Sequence, residues 1–320
     1  MRGRSALLTM ILTPMALAAL GGVLPNWCVF LLTIALSKAL AALGVVILLR
    51  TGLLSFGQGL YYCIGAYAVG LAMLYAGISD AVLLTLAGGL VALVIGALIG
   101  LLLAGYRGIF FATLTLALSM LAYGALTKAD VLGGSDGLNL PPPTFFGYRS
   151  ASAGQSVYAL YLFASVLTAG VIAACSAHFD SVRGLVSFAA RDNEIRVEYL
   201  GGSVHRIVFE NFAVAALLGG LGGALNALAV AHIDPELAFW TTSGEFVFVA
   251  ILSGHVSVVA VFVASVLLEF ARSFSSQYFP NAWQMALGLF MLAIILFLPN
   301  GLGALLRWPR RAESLGVDVT

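Results

Sequence analysis

Long apolar segments separated by short polar connections run along the chain from end to end. A membrane-crossing helix needs about 20 apolar residues, and eight segments meet this length: residues 5–24, 27–49, 53–76, 81–104, 108–127, 157–177, 207–231 and 282–298. The polar connections between them are residues 128–156, 178–206, 232–243 and 269–281, followed by a tail from Arg307. The pattern predicts an all-α polytopic membrane helix bundle with eight crossings.

A ninth apolar segment, residues 244–268, is interrupted by Ser253-Gly254-His255. Lys and Arg accumulate in cytoplasmic loops. With the N-terminus inside, most basic residues fall in the cytoplasm, but the basic tail does so only if this segment enters and leaves on the same side. We therefore predict a re-entrant hairpin of two short helices broken at Gly254, with both termini cytoplasmic. The alternative is one long helix and an exposed basic tail.

The composition indicates that the surface of the bundle faces lipid. Hydrophobic residues make up 61% of the chain and charged residues 9%, whereas soluble domains carry about 25% charged residues. Lipid must therefore surround most of the surface, and we expect a single transmembrane domain over residues 1–320. A net charge of +1 gives no reason to expect a nucleic-acid partner.

Two smaller features leave the picture unchanged. The three cysteines, Cys28, Cys63 and Cys175, lie in or beside apolar stretches at spacings that suit neither a disulfide framework nor a metal site. Arg2 and Arg4 before the first apolar run are compatible with a cleaved signal peptide, but a retained first helix is the favoured interpretation because no soluble region follows.

Four segments carry distinctive glycine or polar residues, the first two in apolar membrane segments and the last two in the polar connections. These are residues 50–67, with a Gly-Leu-Leu-Ser-Phe-Gly-Gln-Gly stretch leading to Gly-Ala-Tyr; residues 106–116, with Arg-Gly-Ile-Phe-Phe-Ala-Thr-Leu-Thr-Leu; residues 132–138, Leu-Gly-Gly-Ser-Asp-Gly-Leu; and residues 189–201, with Arg-Asp-Asn-Glu and a final Gly. Irregular backbone at membrane depth is tolerated only where it faces protein or a cavity.

Taken in this order, and with Pro-Asn-Gly-Leu-Gly at residues 299–303, these segments resemble the LivM-type permease subunits of branched-chain amino-acid ABC transporters. The resemblance covers about residues 30 to 306. It implies a bacterial inner-membrane protein that works with a second homologous permease subunit, two cytoplasmic ATPase subunits and a periplasmic solute-binding protein. Related permeases move urea, short amides or aromatic acids, so these remain alternative substrates.

Two positions depart from the family pattern. Residues 253–257 read Ser-Gly-His-Val-Ser where the family usually has Gly-Gly-x-Gly followed by Gly-Pro, and Lys38 stands where an apolar or small residue is expected. The chain also has no Walker A motif, since neither of its lysines, Lys38 and Lys128, lies in the required Gly-Lys-Ser/Thr context. We expect a transport subunit that needs no cofactor or metal, with ATP hydrolysed by its partners.

The candidate substrate path consists of polar residues within membrane segments: Lys38, Ser55, Gln58, Thr113, Thr115 and His255. Lys38 lies eleven residues beyond Trp27, which is roughly 16 Å deep at 1.5 Å per residue. A charge there costs about 3 kcal/mol or more unless it is paired or reaches the interface. Lys38 therefore either snorkels, pairs with a backbone carbonyl, or faces the path and favours an anionic group. For Ser55 and Gln58 the alternative is hydrogen bonding across helices.

Two further sets of residues are candidate partner contacts. The connection 178–206 is the predicted cytoplasmic coupling loop, and the resemblance assigns its ATPase contacts to Arg191, Asp192, Glu194, Arg196, Glu198 and Gly201. Asp192 and Arg196 have the i,i+4 spacing of a helical ion pair, and Gly201 is placed to end a helix. The alternative is an ordinary solvated helix. Candidate contacts for the solute-binding protein are Ser135, Asp136 and Glu245.

Two other classes of function compete with this interpretation. An ion-coupled secondary transporter keeps acidic or His residues in mid-membrane, and the predicted helices place no acidic residue there. A membrane enzyme requires a cluster of catalytic side chains, whereas the four histidines are scattered over different segments: His178, His205, His232 and His255.

Overall fold

Helices form nearly the whole of the computed structural model, which describes residues 17, 21–145, 147, 153–254, 257–280, 282–297 and 301–305. The helices are α1 (Asn26–Leu49), α2 (Gln58–Tyr75), α3 (Ala81–Leu103), α4 (Gly108–Leu126), α5 (Ala153–Asp180), α6 (Val182–Asp192), α7 (Glu194–Tyr199), α8 (Val204–Val230), α9 (Trp240–Ser253), α10 (Val258–Tyr278), α11 (Trp283–Phe297) and α12 (Leu302–Leu305). The predicted all-α bundle is confirmed.

The centre of the bundle is α8, which packs against α1, α2 and α3. Glycines allow these helices to approach closely: a side chain at Gly65 would overlap the backbone of Gly220, and one at Gly223 would overlap the carbonyl of Tyr62. Apolar side chains gain little from leaving lipid, so membrane helices associate through such close backbone packing.

Six described helices are long and apolar enough to cross a membrane: α1, α3, α4, α5, α8 and α10. The 18-residue α2 and the 15-residue α11 are not among them. A polytopic membrane protein is therefore confirmed, while the count of eight crossings stays a prediction. Most of the first predicted span, residues 5–24, lies outside the described residues.

The ninth apolar segment is broken where the sequence predicts a break. Helix α9 ends at Ser253, and Gly254 follows with φ of 72°, a left-handed conformation that favours glycine. One continuous helix is therefore wrong. The prediction of two short helices is also wrong, because α10 has 21 residues and continues ten residues beyond position 268. Gly301 packs on this break, where an added Cβ would lie 2.8 Å from the amide nitrogen of Gly254.

A two-stranded sheet joins two connections on the predicted outer side. Strand β1 (Leu138–Asn139) pairs antiparallel with β2 (His232–Ile233). The preceding turn needs glycine, because Gly133 and Gly137 have φ of 88° and 72°, and a Cβ at Gly133 would overlap the carbonyl of Gly137. The sheet holds the connection after α4 against the connection after α8.

Candidate functional site

Four charged side chains from three helices, α1, α9 and α10, meet in a partly buried cluster. Lys38, half-way along α1, donates to Oε2 of Glu245 in α9 at 3.2 Å and to Oε2 of Glu269 in α10 at 2.8 Å. Arg272, one turn beyond Glu269, donates to the same Oε2 of Glu245 at 2.8 Å. We call Lys38, Glu245, Glu269 and Arg272 the charged cluster.

The charged cluster holds two positive and two negative charges, and three of its members belong to α1 and α10, which are long and apolar enough to cross a membrane. The side chains of Lys38 and Glu269 are 15% and 11% exposed, while those of Arg272 and Glu245 are 35% and 23% exposed. Arg272 also lies over the Trp283 ring, 5.3 Å from its centroid, in a cation–π contact that links α11 to the cluster.

This geometry bears on three expectations. Lys38 pairs with two carboxylates, and within the described residues it makes no bond to a backbone carbonyl. Glu245 has two partners within the chain, and its contact with a binding protein stays a prediction. Glu269, assigned from sequence to a polar connection, lies inside α10, a helix long and apolar enough to cross a membrane, so the sequence analysis missed an acidic residue within a candidate span.

Ser55, Gln58 and Thr115 are buried near the start of α2. Gln58 is fully buried and its Nε2 donates to the carbonyl of Ala215 in α8 at 2.7 Å. The Ser55 hydroxyl accepts from the amide of Gly57, and the Thr115 hydroxyl accepts from the amide of Phe56 at 3.2 Å. The bond of Gln58 crosses to another helix and matches the second interpretation given for it, whereas Ser55 bonds within its own turn. All three side chains are buried.

The other two candidate path residues differ from these. Thr113 is exposed on α4, where its hydroxyl bonds back to the carbonyls of Ile109 and Phe110 at 3.0 and 3.1 Å. It therefore faces lipid, a partner or a path outside this subunit. His255 lies outside the described residues.

The predicted coupling loop consists of two helices that leave apolar side chains uncovered. Helix α6 ends at Asp192, and Asn193 caps α7 by accepting from the amide of Arg196 at 2.9 Å. Asp192 and Arg196 therefore lie on different helices and do not form the predicted i,i+4 pair. Gly201, with φ of 84°, follows the end of α7 as predicted.

Among the predicted ATPase contacts, Arg191, Asp192, Arg196, Glu198 and Gly201 are exposed. Glu194 is partly buried because the Arg107 Nε atom donates to both of its carboxylate oxygens, at 2.8 and 3.0 Å. The same guanidinium donates through Nη1 to the carbonyls of Ala104 and Tyr106. Arg107 thereby ties the start of α7 to the start of α4.

A polar network attaches α6 to α8 and to the end of α5. The buried Asn211 of α8 donates to the Ser187 hydroxyl at 2.9 Å, and its Oδ1 lies 3.3 Å from Nε2 of His178. Arg50 lies beside this network, with its guanidinium 4.0 Å from the Phe179 ring centroid. Burial lowers the pKa of Arg50, and the nearby carboxylate of Asp180 opposes that shift.

On the predicted outer side, Ser135 and Asp136 lie exposed in a short 3₁₀ helix, Gly134–Asp136. Both stand beside the two-stranded sheet, where a soluble protein could reach them. They are available for the predicted contact with a solute-binding protein.

Sequence analysis did not identify several residues of these sites: Glu269, Arg272, Arg107, Asn211 and Ser187. A signal was present for the first two. A lysine embedded in a membrane segment is often paired with a carboxylate, and the stretch after the Gly254 break contains both Glu269 and Arg272 at helical spacing.

Comparison with known proteins identifies the family. A model described as the permease component of branched-chain amino acid transport systems matches residues 27–298. The chain is 29% identical to the high-affinity branched-chain amino acid transport system permease protein LivM of Escherichia coli K12. It is 30% identical to the protein of the same name from Salmonella typhimurium LT2.

Each alignment covers 79% of this chain and 64% of the relative, so the chain spans less than two thirds of the length of these curated relatives. No solved structure matches. The family match extends over most of the bundle, from the start of α1 to the end of α11. The chain therefore belongs to the family of permease components of branched-chain amino acid transport systems.

Proposed function

We propose that this chain is a multi-pass permease subunit of an ATP-driven importer in the bacterial inner membrane, with branched-chain amino acids as its solutes. The exposed surface of α6 and α7 carries the proposal. Apolar side chains there are 60% to 88% exposed: Val182, Leu185, Ile195, Tyr199 and Leu200. Large apolar side chains exposed together on two adjoining helices outside the membrane segments are typical of a protein-interaction site.

The attachment of this surface suits the transmission of movement. Arg107 ties α7 to α4, and Asn211 ties α6 to the central helix α8. A displacement of α6 and α7 by an ATPase subunit would therefore reach the bundle through these bonds. Two cytoplasmic ATPase subunits are the partners we assign to this face.

Other surfaces suit the remaining partners. Most of α4 is not buried, and Thr113 on its outward face suits a second homologous permease subunit and the path between the two chains. Ser135 and Asp136 suit a periplasmic solute-binding protein. We assign the membrane-facing parts of α3 to lipid.

Two variants on the coupling surface test the proposal. Glu198→Lys reverses a charge and Leu200→Asp removes an apolar contact, and both positions are exposed, so the fold should tolerate the changes. We expect each variant to lose uptake and solute-stimulated ATP hydrolysis in the reconstituted transporter. The matched control is Glu236→Lys, an equivalent charge reversal at an exposed residue on the predicted outer side.

Normal uptake in both variants would show that the ATPase docks elsewhere. A second measurement distinguishes an ATP-driven importer from an ion-coupled secondary transporter, which would need an acidic residue in mid-helix such as Glu269. Uptake that persists without ATP and collapses with a protonophore would support that class.

A further inference from the structure

Each carboxylate in the charged cluster is bonded through one oxygen only. Oε2 of Glu245 accepts from Lys38 and Arg272, and Oε2 of Glu269 accepts from Lys38. Within the described part of the chain, no hydrogen bond reaches Oε1 of either glutamate. Lys38 uses two of its three N–H donors there, and Arg272 uses a single nitrogen.

In the Arg107–Glu194 ion pair of the same protein, by contrast, both carboxylate oxygens have hydrogen-bond partners. Both Glu194 oxygens accept from Arg107, whose Nη1 is filled by two backbone carbonyls. Partly buried ions are stable when their remaining hydrogen-bonding positions are filled. The charged cluster therefore has unused donors and unused acceptors side by side.

The surface of α9 beside Glu245 is uncovered. Gly244 precedes Glu245, and a Cβ added at Gly244 would meet nothing within 4 Å. Thr241 and Phe248 lie on the same side of α9 and are exposed. The side chains of Glu245 and Arg272 are themselves 23% and 35% exposed, so the cluster is not sealed inside the chain.

We propose that the charged cluster recognises a zwitterionic amino acid, with its ammonium at the free oxygens of Glu245 and Glu269 and its carboxylate at Lys38 and Arg272. This inference rests on the proposed function and assigns the residues that bind its solute. A neutral cluster and a neutral zwitterion exchange ion pairs without any change in net charge. A solute with one charge leaves a cluster group unpaired, which is costly at this depth, and urea offers no charge at all.

The test uses Gly244→Cys in the complete transporter in lipid nanodiscs without ATP. The rate at which the new thiol reacts with a small water-soluble methanethiosulfonate reports access to the cluster. The native Cys28, Cys63 and Cys175 are all buried, so the unmodified protein gives the background. We expect millimolar L-leucine to slow the reaction several-fold, whereas 3-methylbutylamine, 4-methylpentanoate and urea leave the rate unchanged.

A charge-balanced variant separates recognition from folding. Lys38→Met combined with Glu269→Gln keeps the cluster neutral, and we expect the thiol at position 244 to stay reactive but to lose protection by leucine. The control Lys128→Met removes an exposed lysine elsewhere and should retain protection. An unreactive thiol, equal protection by all four solutes, or protection that survives the charge-balanced change would each overturn the inference. Because no ATP is present, these outcomes are independent of the coupling experiment.

Discussion

The substitution Lys38→Met should destabilise the bundle through charge imbalance and not through loss of packing. Of the charged cluster it leaves one cation, Arg272, beside two carboxylates, and Glu269 loses a bond of 2.8 Å at a site where its side chain is 11% exposed. Breaking one partner from a buried pair costs about 3–5 kcal/mol. Partial exposure of the cluster places our expectation near the lower value, about 3 kcal/mol.

A second substitution should restore most of this loss. With Glu269→Gln added, the cluster holds one positive and one negative charge, and replacing both members of a buried pair is often close to neutral. The two changes should therefore couple by about 2–3 kcal/mol in a double-mutant cycle. This positive coupling distinguishes charge balance from two independent packing defects.

Thermal unfolding of the purified protein in detergent, followed by intrinsic fluorescence, measures the effect. We expect Lys38→Met to lower the midpoint by on the order of 5 °C, the double variant to recover most of it, and the exposed control Lys128→Met to match the unmodified protein. The reasoning is refuted if Lys38→Met unfolds like the unmodified protein, or if adding Glu269→Gln lowers the midpoint further.

Two further predictions concern helix packing and the coupling surface. Gly223→Ala places a methyl group against the carbonyl of Tyr62 and should lower the free energy of unfolding by about 1–3 kcal/mol. The control Gly124→Ala meets no atom within 4 Å and should raise it by up to about 1 kcal/mol. Equal unfolding midpoints for the two variants would contradict this. Arg107→Gln should change the free energy of unfolding by no more than about 1 kcal/mol, because the pair with Glu194 is partly exposed. Trypsin should nevertheless cleave around α7 faster in this variant. An unchanged cleavage rate would show that the pair does not hold α7 in place.

The helices were predictable where length and apolarity alone decide the structure. The predicted ends of the third to seventh segments fall within a few residues of α2 to α5 and α8, except at residues 53–57. There the chain turns at Gly52, with φ of 77°, and α2 begins only at Gln58. The sequence predicted correctly that this polar stretch faces protein or a cavity. It did not predict that the facing groups are Ala215 and Thr115, because distant helices supply them.

The candidate site was harder to predict for the same reason. Lys38 was identified as costly, but its partners lie 207 and 231 residues away, and no local pattern specifies such a pairing. By contrast, the division of the coupling loop at Asn193 had a local signal, since Asn followed by Glu is a typical helix start. The i,i+4 spacing of Asp192 and Arg196 suggested one continuous helix across Asn193, and the helix-start signal at Asn193 was the better guide.

The distance along the chain between Lys38 and Glu269 has a consequence for biogenesis. Ribosomes add about 5–20 residues per second, so the 231 residues between them take on the order of 10–45 s to synthesise. For most of that interval, until Glu245 follows 207 residues after Lys38, α1 has left the ribosome with an uncompensated lysine, whose insertion at the centre of a helix costs about 3 kcal/mol. The apolar remainder of α1 must outweigh this cost until α9 and α10 are made. The ion pairs of one of the first helices thus form only when two of the last helices have been synthesised.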